Sequence, residues 1–287
     1  MRIVLAATAL LCAAAVTGGC TSSRAGGGRE VVAAFYPLAW AAQEVAGGTA
    51  TVRDVTPPGA EPHDVELSPR EVGRLQRADV VLYVSDGFQP AVEKAAGDAR
   101  GKRVDALAGL TLRSGTGDEG GSVDPHVWLD PVRFARVVRR VGVALGRPSP
   151  GDAVAARVLA LDREYRDGLA HCARREFVTS HGAFGYLAAR YGLRQIPITG
   201  VDPESEPSPR RLEALVDLVR REHVGTVFFE RLVSPRLART VAREAGATTA
   251  VLDPIEGLTP AEAERGDTYL SVMRRNLAAL REALGCR

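Results

Sequence analysis

The chain has 287 residues, 45% of them hydrophobic and 25% charged, with a formal net charge of +2. This is globular arithmetic, with room for one large or two medium domains, and the near-neutral balance argues against nucleic acid or an acidic surface as partner. Of the 37 basic residues only Lys94 and Lys102 are lysine, and the arginines are scattered rather than blocked, so the arginine excess marks no binding patch.

In chain order, Met1-Arg2 is followed by an apolar or small-residue run over 3–16. That run is shorter than the roughly 20 residues a bilayer-spanning helix needs and suits the core of a secretory signal. It closes on Thr17-Gly18-Gly19-Cys20, ahead of a polar, Gly-rich stretch. Small residues before a cysteine resemble the bacterial lipobox, although Thr17 stands where leucine is usual. The expectation is a signal peptide over 1–19, with Cys20 as lipid anchor and 20–29 as flexible tether. The competing reading is a secreted or periplasmic protein without the anchor. Cys12 is lost with the leader, which leaves Cys172 and Cys286 in a compartment that permits disulfides. They form either one bridge or two separate buried thiols, and the bridge is the expectation.

From residue 30 the chain alternates β-branched runs with amphipathic stretches. Strands are expected over 30–36, 51–55, 80–84, 103–106, 177–179, 195–199, 226–229 and 249–252, with helices such as 70–77, 90–96, 210–222 and 235–245 between them. This alternation predicts an α/β fold with parallel sheets and flanking helices. Ser68-Pro69, Ser208-Pro209 and Ser234-Pro235 each read as a helix N-cap followed by proline at the first helical position. The stretch from Ser149 to about Arg174 has no strand partner, and Val154, Val158, Leu161, Tyr165 and Leu169 form one helical stripe. It predicts a connector helix (148–174) between an N-terminal lobe (30–147) and a C-terminal lobe (175–287).

Four residues lie just past a strand or just before a helix. His63 and His126 sit in proline-bracketed loops, His181 follows the 177–179 strand at the expected start of a helix, and Asp253 follows the 249–252 strand. In an open parallel sheet that edge is where ligands bind. Two come from each lobe, so a shared site falls in the cleft between them. Three imidazoles and one carboxylate suit tetrahedral Zn²⁺. A helix N-terminus would favour the neutral imidazole at His181 that metal binding needs. The separations match no local motif such as HExxH or CxxC. His171 and His223, near helix ends, read as structural. Trp128 and Phe184 read as packing that shapes the cleft. Glu61, Asp124 and Asp130 could orient the imidazoles or serve as loop and cap residues.

The segments GAEPHDVELSP, DPHVWLDP, VTSHGAFGYLAARYGL, DPESEPSPRRL and VLDPIEGL, in this order, closely resemble the zinc-uptake solute-binding proteins of bacterial ABC transporters, the cluster A-I metal-binding family. The resemblance covers essentially the whole chain after the leader. It implies two α/β lobes joined by one rigid helix, with His63, His126 and His181 as metal ligands and Asp253 where the family supplies a carboxylate, a place that some zinc members leave to water or to a glutamate elsewhere. It further implies Zn²⁺ as transported cargo, an ABC permease as partner, attachment to the cell membrane, no nucleic acid, no catalysis and a monomer. Glu206 and Glu230 resemble family positions and are given no ligand role. Where many zinc members carry a His-rich acidic loop, this chain has RSGTGDEGGSV (113–123), so a second zinc site there is not expected and the piece reads as a flexible surface loop. The alternatives weighed are a manganese or iron receptor of the same fold, and a secreted zinc hydrolase.

Overall fold

A computed structural model describes residues 28–115 and 122–287. The expected leader and Cys20 lie outside the described residues, as does most of the 113–123 piece, whose base closes through a Gly115 N–H bond to the Ser122 carbonyl at 2.7 Å.

Two four-stranded, wholly parallel sheets account for the strands, and both have the same order. The first runs β2-β1-β3-β4, from β1 (Arg29–Ala33), β2 (Ala50–Asp54), β3 (Val80–Tyr83) and β4 (Lys102–Asp105). The second runs β6-β5-β7-β8, from β5 (Glu176–Thr179), β6 (Arg194–Pro197), β7 (Thr226–Phe229) and β8 (Thr248–Val251). Central strands read as continuous apolar runs because helices cover both faces: Val31 of β1 registers with Val52 of β2 and Val80 of β3. Edge strand β2 instead alternates exposed and half-buried positions.

The crossovers of the first half are α1 (Tyr36–Ala46), α2 (Pro69–Arg77) and α3 (Pro90–Gly97). A short 3-10 helix (Val127–Leu129) leads to α4 (Pro131–Ala144) and the long helix α5 (Pro148–Gly168). The second half adds α6 (Gly185–Tyr191), α7 (Pro209–Arg221), α8 (Arg236–Ala245), α9 (Pro260–Glu264) and α10 (Tyr269–Leu284). Ser68 caps α2 in a capping box with Glu71, and Ser208 caps α7 through the Arg211 N–H. The third expected cap lies one residue on: α8 begins at Arg236 behind Pro235, and its N-cap residue makes no side-chain bond.

Helix α5 buries the expected stripe of Val154, Val158, Leu161 and Tyr165 and lies closely along α4. At their contact a Cβ added to Gly151 would stand 2.9 Å from the Gly142 Cα, so only glycine lets the two backbones approach this far. The helix ends earlier than the sequence stretch suggests. Arg175 takes up the carbonyls of Leu169 and Ala170, and the chain turns into the Cys172–Cys286 disulfide. That bridge joins the segment after α5 to the segment after α10, flanked by backbone bonds from Ala173 to Gly285 and from Arg287 to His171.

The main hydrophobic core runs from the first sheet through α4, α5 and α10 to one face of the second, where Phe177 and Phe228 enter it. The other face, with Val178 and Val227, packs on α7 and α8 as a separate cluster. The period-2 alternation of β5 and β7 makes this division. Among the described residues no helix is long and apolar enough to cross a membrane.

Candidate metal centre

The loops that leave the C-terminal ends of the strands meet between the two sheets. His63 arrives on the Pro- and Gly-rich loop between β2 and α2, and its backbone N–H donates to Glu61 Oε1 at 3.2 Å. His126 immediately precedes the 3-10 helix and is fully buried. Asp124 holds it twice, taking the backbone N–H at 2.9 Å and meeting the ring Nδ1 at 2.8 Å with the same Oδ1. His181 stands two residues past β5 in a turn, four before α6 begins. It is therefore not a helix-start residue, and its ring is set by a carboxylate instead: Nδ1 meets Glu230 Oε1 at 2.7 Å, and Ser180 Oγ donates to the same oxygen at 2.6 Å.

With the Nδ1 atoms of His126 and His181 so engaged, their Nε2 atoms turn toward one point. The fourth group there is Glu256. Its Oε1 lies 3.0 Å from His126 Nε2, 3.4 Å from His181 Nε2 and 3.7 Å from His63 Nε2. One donor atom from each of these four residues falls within 4.8 Å of the others. The two Nε2 atoms of His126 and His181 are 3.4 Å apart, against about 3.3 Å for neighbouring donors around a tetrahedral ion with bonds of about 2.0 Å. His63 Nε2 and Glu256 Oε2 are buried without a hydrogen-bond partner, as donors awaiting a cation would be.

The electrostatics follow from this crowding. Burial pulls the His181 imidazole down, but the Glu230 and Glu256 carboxylates beside it more than reverse this and hold it well above the usual histidine range. For His126, burial is likewise overcome, here by Asp124 and Glu256. Burial raises the Glu256 carboxyl, and the three imidazoles outweigh it and bring it well below the usual range. Burial and the neighbouring Glu256 charge push Glu61 up to about 9. A ligating imidazole must be neutral, so a divalent cation held at this point would compete with protons for the same nitrogens. The helix dipole expected to act on His181 is displaced from it, because α6 begins four residues later and two carboxylates face the ring instead.

Asp253, expected to supply the carboxylate, is not brought to this group. Its Oδ1 accepts the Ile255 N–H at 2.8 Å, and Oδ2 points toward Arg231 Nε, 3.9 Å away. Aspartate before proline commonly turns its carboxylate back on the backbone two residues on, which leaves the next acid of VLDPIEGL, Glu256, free to face the histidines. Asp130 does not reach an imidazole either: it caps α4 and pairs with Arg190. Glu61 meets the backbone of His63 and not its ring. A cavity of about 220 Å³, lined by His63, Asp64, Asp86, Phe88, Pro125 and Asp202 among others, adjoins the His63 side.

Comparison with known proteins gives this geometry its context. Residues 31–283 match the model of the ZnuA family, described as zinc-uptake complex component A periplasmic. The chain belongs to this family. Among relatives of this ZnuA-family chain, the zinc-binding lipoprotein AdcA of Streptococcus pneumoniae serotype 4 is 34% identical over 297 residues, covering 96% of this chain and 59% of the relative. The high-affinity zinc uptake system protein ZnuA of Bacillus subtilis is 33% identical over 277 residues, covering 88% of this chain and 87% of the relative. The chain thus spans well under two thirds of the AdcA length and most of the ZnuA length. Among solved structures, the Zn(II)-bound ZnuA-like domain of S. pneumoniae AdcA superposes with a TM-score of 0.77 at 35% identity, over 90% of this chain and 99% of that domain.

Proposed function

We propose that this chain is an extracytoplasmic receptor that captures Zn²⁺ between its two lobes and delivers it to an ABC transporter permease. The observation that carries the reading is the convergence of His63, His126, His181 and Glu256 on one buried point. Three nitrogens and one carboxylate oxygen suit Zn²⁺ better than the oxygen-rich, six-coordinate preference of manganese. Four protein donors also leave no open position for the water that a zinc hydrolase would activate, so the reading is a binding protein and not an enzyme. Relatives named as zinc-binding and zinc-uptake proteins support the same cargo. The Cys172–Cys286 disulfide fits an oxidising compartment, and anchoring through Cys20 places the receptor at the cell membrane, working as a monomer. The cavity beside His63 carries Asp64, Asp86 and Asp202 on its wall, carboxylates that would attract a cation to that side of the site.

Zinc titration of metal-stripped protein tests the reading. One equivalent should bind, and alanine at His63, His126 or His181 should weaken binding by more than the roughly 10- to 100-fold that loss of an outer partner costs. Unchanged stoichiometry and affinity in all three variants would overturn it. In competition, manganese should fail to displace zinc.

A further inference from the structure

The turn that presents Glu256 is held from both halves of the molecule. From the C-terminal half, Asn276 of α10 brackets Asp253 with its whole amide: Oδ1 accepts the Asp253 N–H at 2.9 Å, and Nδ2 donates to the Asp253 carbonyl at 2.6 Å. Asp253 in turn holds the Ile255 N–H. Ile255 has φ +58° and a fully buried side chain. A β-branched residue in the left-handed region is strained and persists only where its surroundings over-determine it. The remaining ties come from the N-terminal half. Trp128 Nε1 donates to the Pro254 carbonyl at 2.7 Å, and the Gly59 N–H donates to the Leu258 carbonyl at 2.9 Å.

These N-terminal ties grow from the segments that carry the histidines, since Trp128 stands two residues after His126 and Gly59 four before His63. Trp128 is 1% exposed. Its ring packs against Phe35 and the His126 imidazole at centroid distances of 4.7 and 5.0 Å. Its own carbonyl accepts the Tyr269 hydroxyl at 2.6 Å. The indole is therefore fixed on its own side and reaches across to the loop two residues before Glu256.

We propose that Trp128 is a positioning residue for the cargo: its indole N–H clamps the Pro254 carbonyl and so holds the Glu256 carboxylate against His126 and His181. Packing alone would need the ring and not the N–H. The clamp couples the carboxylate of one half to the imidazole of the other, so the donor set is complete only when the two halves are joined here. The inference rests on the capture reading above.

Zinc titration of wild type, Trp128→Phe, Glu256→Ala and the double variant tests it, together with hydrogen exchange of residues 255–258 in the metal-free proteins. Phenylalanine keeps an aromatic ring and removes the donor. Loss of one buried hydrogen bond should weaken zinc binding about tenfold in the Glu256 background and by less than about twofold once Glu256 is alanine, because coupled residues are non-additive. Exchange at 255–258 should quicken in Trp128→Phe without zinc present. An equal effect in both backgrounds, or unchanged exchange, overturns the clamp. If wild type takes up no zinc, the capture reading fails by itself, while the exchange result still decides whether the indole holds the loop. Should Trp128→Phe not fold, benzothienylalanine in place of Trp128, which keeps the bicyclic ring and lacks only the N–H, goes through the same cycle, and additivity with Glu256→Ala there overturns the proposal.

Discussion

At the scale of single residues, two carboxylates three positions apart do different work, and the reason is local. Asp253 precedes proline and closes its own turn, whereas Glu256 emerges from that turn toward three imidazoles. Asp253→Asn keeps an oxygen able to accept the Ile255 N–H, so zinc affinity should stay within about twofold of wild type, while Glu256→Gln should lose most of it; isothermal titration separates them. The same aspartate sets a pH dependence. Burial pushes its carboxyl up to about 7, against about 4 in an unfolded chain. The native state therefore binds the proton more tightly, and the stability this contributes below about pH 4 is lost as pH rises toward 7. Urea unfolding of the metal-free proteins should show Asp253→Asn gaining on wild type from pH 5 to pH 8; a constant difference would contradict the assignment. Glu230 acts at one remove, through His181 Nδ1. Glu230→Gln should weaken zinc binding about 10- to 100-fold, without changing its one-to-one stoichiometry.

At the scale of elements, the chain marks its strand interiors and its capped helix starts plainly and other helix boundaries less so. Ser68 and Ser208 cap as their sequence context implies, because Ser-Pro supplies both the acceptor and the preset φ. The start of α6 was not legible: Gly182-Ala183-Phe184 reads as a continuation of helix, yet the chain spends these residues bringing His181 into the cleft. Helix α5 depends on a close contact with α4. Replacing Gly151 with valine puts a branched Cβ 2.9 Å from the Gly142 Cα and should destabilise the fold by about 1–3 kcal/mol, read as a lower urea midpoint. Zinc affinity should be retained, since the contact is formed by α4 and α5 and not by the loops that bear the histidines.

Across the whole molecule, two sheets of the same order point the C-terminal ends of their strands at one cleft, and α5, α10 and the Cys172–Cys286 bridge hold the halves together from behind. The bridge joins residues 114 apart in the chain. Replacing both cysteines by serine should therefore cost about 2–5 kcal/mol, seen as a lower denaturant midpoint, and should leave zinc binding intact at moderate temperature. The shared core argues that such destabilisation affects both halves at once, in a single unfolding transition.

The α/β alternation, the apolar stripe of α5 and the loop positions of the three histidines were all legible in the linear sequence, because periodicity, capping and loop position are local properties. The family resemblance supplied the grouping that spacing could not, since the histidines are 63 and 55 residues apart and no short motif joins them. What only the tertiary structure decided is which carboxylate faces the imidazoles and what supports it. Choosing between Asp253 and Glu256 depends on which side chain the turn consumes. That turn is set by Asn276 from α10 and by Trp128 from the other half, contacts formed across 23 and 126 residues of chain and therefore fixed by packing rather than by any local pattern.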